Sequence, residues 1–86
     1  MDVVEIIENA GRNLHIVYMI YEKVTTGEVK DYYLEPYSFR DDGKYFFGYD
    51  IDDETIKKFL VDNIIEIEET DMEYDPRWEV EFWIFI

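Results

Sequence analysis

At 86 residues the chain has room for one compact domain, and a domain of that size buries only about 60% of the surface its unfolded form exposes. Apolar residues make up 48% and aromatic residues 19%, enough large side chains to fill a small interior, which argues against disorder. The lack of cysteine excludes a disulfide framework or a thiolate metal site, and a net charge of −14 repels phosphate backbones and anionic membrane surfaces. The elements read as follows in chain order. Val3, Val4, Ile6, Ile7 and Ala10 recur at helical spacing, so a short helix is predicted over about 2–10, with Asp2 as N-cap and Gly11 as the C-terminal glycine. A strand follows over about 14–22, apolar on both faces (Ile16, Tyr18, Ile20 against Val17, Met19, Tyr21) and therefore covered on two sides.

Thr25-Thr26-Gly27-Glu28 supplies turn chemistry before a strand over about 29–39, in which Pro36 marks an edge or a bulge. Asp42-Gly43 within 40–44 is a tight hairpin signal. Strands over about 45–51, 56–60 and 63–69 come next, the last with Ile65 and Ile67 set against Ile64, Glu66 and Glu68. An acidic loop at 71–76 leads to a final strand over about 77–86, with Trp78, Val80, Phe82, Ile84 and Ile86 on one face and Trp83 and Phe85 on the other. That strand either pairs internally or offers an edge to a partner or a second copy. A helix followed by five or six short strands predicts a mainly β, α+β fold: an N-terminal helix packed on a five- or six-stranded antiparallel SH3-like barrel.

The landmarks resemble those of the WYL domain, a small SH3- or Sm-like β-barrel of bacterial transcriptional regulators. Ile16-Val17-Tyr18 stands at its first strand, and Gly27 at its glycine turn. Tyr33-Leu34-Glu35-Pro36 matches its strand running into a proline, and Lys44-Tyr45-Phe46-Phe47-Gly48-Tyr49 its naming segment. Ile56-Lys57-Lys58-Phe59-Leu60-Val61-Asp62-Asn63-Ile64 resembles its basic run. Lys44 replaces the naming tryptophan, Phe46 the leucine, and Asn63 an arginine. The resemblance implies a free-standing ligand-sensing module with a groove near Tyr18, Lys44, Tyr45, Lys57 and Asn63. In that groove Tyr45 stacks and the two lysines supply cations.

Other patterns carry less. His15 is the only histidine and reads as structural or solvent-facing, and no phosphate loop or histidine-based metal motif occurs. The carboxylates at 50–54 lack the sixth-position glycine and twelfth-position glutamate of a calcium loop, so they read as a solvated turn. No catalytic residue, metal or other cofactor is expected, and an enzyme is not predicted.

From Glu66 to Glu81 there are eight carboxylates and one basic residue, Arg77. Glu66, Glu68, Asp71, Glu73, Glu79 and Glu81 are either a solubilising face or an acidic decoy that imitates nucleic acid to block a basic surface of a host protein. Expected partners are a protein or a small ligand, met as monomer or homodimer. Direct nucleic-acid binding runs against the charge. The Met1-Asp2-Val3-Val4-Glu5 start lacks a secretory signal and the apolar 82–86 run falls far short of the ~20 residues that span a bilayer, so a cytoplasmic location without membrane contact is expected.

Overall fold

The computed structural model describes residues 2–82. Helix α1 (Val3–Asn13) begins after Asp2, whose carbonyl accepts the Ile6 N–H at 3.1 Å. Its apolar spacing puts Ile7 and Ala10 fully into the core. The helix does not stop at Gly11 as its sequence suggested. It runs to Asn13 and ends on Leu14 in the left-handed region (φ 57°), whose N–H returns to the Gly11 carbonyl. Gly11 is small for another reason: a Cβ there would enter the ring of Phe82.

Five strands follow, β1 (His15–Glu22), β2 (Val29–Arg40), β3 (Tyr45–Asp50), β4 (Thr55–Leu60) and β5 (Ile64–Glu73), with a 3-10 turn at Val61–Asn63. All pairings are antiparallel and the order is β4-β3-β2-β1-β5. Among the described residues β4 and β5 are therefore the edges, the sheet is not closed, and "barrel" describes it loosely. Pro36 lies in a central strand and is tolerated because the β2–β3 register shifts between Pro36 and Ser38. A second shift, opposite Ile20 and Tyr21, turns Ile64 and Ile67 into the core and leaves Ile65 55% exposed. The simple alternation expected for β5 is thus broken.

One face of the sheet holds the core. Rings run through it in near-continuous contact: Tyr32 and Tyr21 lie edge-on to Phe59, Phe59 stacks on Phe46, Phe46 meets Phe39, and Phe39 meets Phe82 at 5.2 Å. Helix α1 covers this face beside β1, β2 and β5.

The strand expected over 77–86 is not formed in its described part, and no sixth strand occurs among the described residues. Residues 74–82 instead cross β2 and β3 as an irregular strap. Tyr74, Val80 and Phe82 are buried while Trp78 is 52% exposed, so these side chains do not share one environment. The carbonyl of Phe82 accepts from Arg12, and the Glu81 N–H donates to the Tyr37 carbonyl. The strap is pinned at Tyr74, Arg77, Glu81 and Phe82, whose backbone groups pair with Leu14, Tyr37 and Arg12 instead of with a neighbouring strand. Trp83, Ile84, Phe85 and Ile86 lie outside the described residues.

Candidate ligand-binding site

Alternation along β4 decides which lysine is available. Lys57 shares a face with Phe59, and Phe59 is core, so Lys57 points to the inner end of the sheet. There its Nζ donates to Asp50 at 2.8 Å and to Asp53 at 2.5 Å and lies 5.4 Å from the Tyr32 ring centre. Burial pulls the Lys57 ammonium down, but its bonds to Asp50 and Asp53 outweigh that and hold it above the ordinary lysine value. The hydrogen bond from Lys57, helped by its charge, lowers the Asp53 carboxyl. Asp50, 2% exposed, also accepts the N–H groups of Asp52 and Asp53, so the acidic turn at 50–54 is organised by its own chain. Lys57 is occupied.

Lys58 points the other way, its Nζ lying 4.8 Å from the ring centre of Tyr45. Lys44 approaches the same ring at 5.4 Å. The hairpin that presents it has Asp41, Asp42 and Gly43 all at positive φ, closed by the Lys44 N–H on the Asp41 carbonyl. The Lys44 carbonyl also accepts the Val61 N–H, which ties the hairpin to the end of β4. Neither Lys44 nor Lys58 has a carboxylate partner among the described residues. On the neighbouring row of the same face, Arg40 lies 5.9 Å from the Phe47 ring. Three of the eight basic residues thus gather around two half-exposed rings.

The other expected groove residues stand elsewhere. Tyr18 is on the outer face of β1, the side of the sheet opposite Lys57. Its ring is 5.0 Å from that of Tyr33 and its hydroxyl donates to Asp31, the bond that chiefly raises its pKa. Asn63 sits in the 3-10 turn and donates to the Glu22 carbonyl. Of the five, Lys44 and Tyr45 come together; Tyr18, Lys57 and Asn63 do not join them. Lys58, Arg40 and Phe47 were missed. For Lys58 a usable signal existed, since it follows Lys57 and must face away from the Phe59 side.

The acidic residues divide as well. Glu66 and Glu68 are exposed on the outer face of β5, opposite Ile20 and Tyr18, and Asp71 and Glu73 are exposed farther along the same edge. Glu79 and Glu81 belong to the strap, and Glu81 is 3.4 Å from Arg40. His15 lies 2.6 Å from Glu69, which also accepts from Asn13, so it ties β1 to β5.

Where the strap crosses the sheet, Glu35 is 4% exposed and receives Arg77 Nε at 3.1 Å and the Tyr37 hydroxyl at 2.7 Å. The Arg77 N–H donates to the Tyr37 oxygen, and the guanidinium lies 4.0 Å from the Tyr49 ring centre. The Tyr74 hydroxyl donates to the Pro36 carbonyl. Burial, above all, raises the pKa of Tyr37 and Tyr74 far beyond the ordinary tyrosine value. Every buried polar side-chain atom in this cluster has a hydrogen-bond partner within the chain.

A helix followed by this five-stranded antiparallel sheet defines a small α+β domain, and the WYL domain family model matches residues 2–69, most of the chain. The chain belongs to the WYL domain family. Among solved structures, proteasome accessory factor B/C (PafBC) of Arthrobacter aurescens is similar over 86% of this chain at 20% identity, with a TM-score of 0.74. The match covers 12% of that protein's length, so the likeness concerns the fold of one domain. A search of curated proteins found no match. The strap lies beyond the family match. Among the described residues no helix is long and apolar enough to cross a membrane.

Proposed function

We propose that this chain is a non-catalytic, cytoplasmic regulatory module that senses a small anionic ligand at the Tyr45 platform. Membership of a family found in regulators supports the class of function. The observation that carries the site is the approach of both Lys44 and Lys58 to the Tyr45 ring, two ammonium groups with no carboxylate partner among the described residues in a chain of net charge −14. A flat ring stacks on Tyr45 while one or two phosphates meet the lysines. A polyanion would pay repulsion at every phosphate beyond the patch, so the charge selects small ligands over long nucleic acid. A phosphorylated ligand with an aromatic base, of the nucleotide class, fits both halves of the platform.

The test is calorimetric titration of the full chain with an adenine nucleotide. Binding should be saturable, and Tyr45→Ala should weaken it about 5- to 150-fold, the loss of a stacking contact of about 1–3 kcal/mol. Binding unchanged in Tyr45→Ala would remove the site.

The acidic decoy keeps one specific support, the four exposed carboxylates Glu66, Glu68, Asp71 and Glu73 along free edge β5. It predicts capture of a basic protein that collapses as salt rises and is lost on charge neutralisation of β5, with no effect of Tyr45→Ala.

A further inference from the structure

Beside the strap, and next to the Tyr45 platform, with which it shares Phe47 and Arg40, the outer face of the sheet holds a cavity of about 280 Å³ walled by Tyr37, Phe47, Ile56 and Trp78. That volume is below the usual range for a drug-sized ligand and suits a single side chain. Trp78 stands at 81° to Tyr37, with ring centres 5.3 Å apart, so two aromatic walls meet nearly at a right angle. Trp78 is nevertheless 52% exposed and Ile56 42% exposed. A large aromatic left open beside an apolar neighbour is a feature that folding alone does not require, because the strap already has Val80 and Phe82 in the core.

The charge at the rim is negative. Glu79, Glu81 and Arg40 all line the cavity, so two carboxylates face one cation there. Glu79 is exposed and has no cation partner among the described residues, and Glu81 reaches Arg40 only at 3.4 Å. Arg40 has its guanidinium 5.9 Å from the Phe47 ring centre and Nη1 bonded to the Phe39 carbonyl at 2.7 Å, which leaves Tyr37 and Trp78 as the open aromatic walls. Aromatic faces attract cations through their quadrupole, and quaternary ammonium groups suit them best because they shed water most readily. Carboxylates at the rim add attraction without needing to touch the cation.

We propose that this cavity is a cage for the methylated ammonium of a lysine side chain on a partner protein, walled by Tyr37, Phe47 and Trp78 and steered by Glu79 and Glu81. The inference goes beyond the Tyr45 reading; Phe47 borders both sites, while Trp78, Tyr37 and Glu79 belong to the cavity alone. It gives the exposed tryptophan and the unpaired strap carboxylate a common purpose, and the chain's negative field draws such a partner in.

The experiment is calorimetry on the full chain with two short peptides, one carrying trimethyllysine and one carrying its neutral carbon isostere. The trimethyllysine peptide should bind about tenfold tighter than the isostere. Glu79→Gln should weaken it severalfold, and Trp78→Leu, a swap at a half-exposed position, should abolish it. Circular dichroism of each variant verifies that the fold persists. Tyr45→Ala should leave peptide binding intact, so failure of the nucleotide reading and failure of the cage are separate results. Equal affinity for the two peptides would show apolar docking only and overturn the proposal. Absence of binding, or binding that survives Trp78→Leu, would overturn it as well.

Discussion

Two regions of this domain carry cations beside aromatic rings, and they put them to opposite uses. Under the strap, Arg77 lies on Tyr49 with its guanidinium spent on buried Glu35, and Tyr37 and Tyr74 complete a closed set of hydrogen bonds. Where the β2–β3 hairpin meets the end of β4, Lys44 and Lys58 lie on Tyr45 with no carboxylate partner among the described residues. The same pair of residue types builds structure where a buried carboxylate answers the charge, and leaves a site where none does. Lys57 is the instructive case, because it sits one residue from Lys58 yet belongs with the first group through Asp50 and Asp53.

If that division is right, changes in the closed region cost stability and changes in the open one cost binding. The largest effect should come from Phe82→Ala, which empties a fully buried ring position and should lower unfolding free energy by about 3–5 kcal/mol in urea titrations. Asp50→Ala removes both the Lys57 partner and the acceptor of two turn N–H groups, and about 2 kcal/mol should be lost in the same assay. Gly11→Ala tests the strap from the helix side. In an open helix it would gain about 1 kcal/mol, but here the ring of Phe82 occupies the space, so the sign should reverse.

Alkaline pH probes the same cluster. Tyr37 and Tyr74 have folded pKa values above the unfolded one near 10, so their stabilisation is complete below that pH and is lost as pH rises beyond it. Phenolate absorbance should show these two tyrosines ionising only as the domain unfolds, and a Tyr37→Phe variant should have a flatter alkaline stability profile. The smallest effect on stability is expected from Lys44→Ala and Lys58→Ala, within about 0.5 kcal/mol of the parent. A larger loss would mean the open region is structural too.

Much of the sheet was legible because apolar, aromatic-rich runs are separated by turn signals at 25–28 and 40–44, although burial along β2 is continuous from Leu34 to Phe39 around the Pro36–Ser38 shift. The failures share a physical origin in contacts far apart in sequence. Gly11 looked like a helix terminus, since nothing local announces that Phe82 will need its space. Trp78, Val80 and Phe82 alternate as a strand would, but Glu35, Tyr37 and Arg12 supply partners that draw 74–82 into a strap. Three isoleucines at 64, 65 and 67 fit either register, and the bulge chose between them. At the site, Lys44 and Tyr45 were readable from the hairpin and the family pattern. The same pattern favoured Lys57, although its spacing from Phe59 already placed it on the core side.

The most direct test is nucleotide affinity in Lys58→Ala set against Lys57→Ala, with the stability of each measured alongside. Lys58→Ala should lose most of the binding and keep the parent stability, while Lys57→Ala should bind normally and unfold more easily. Loss of binding in Lys57→Ala with Lys58→Ala unaffected would contradict the account and move the ligand to the inner end of the sheet.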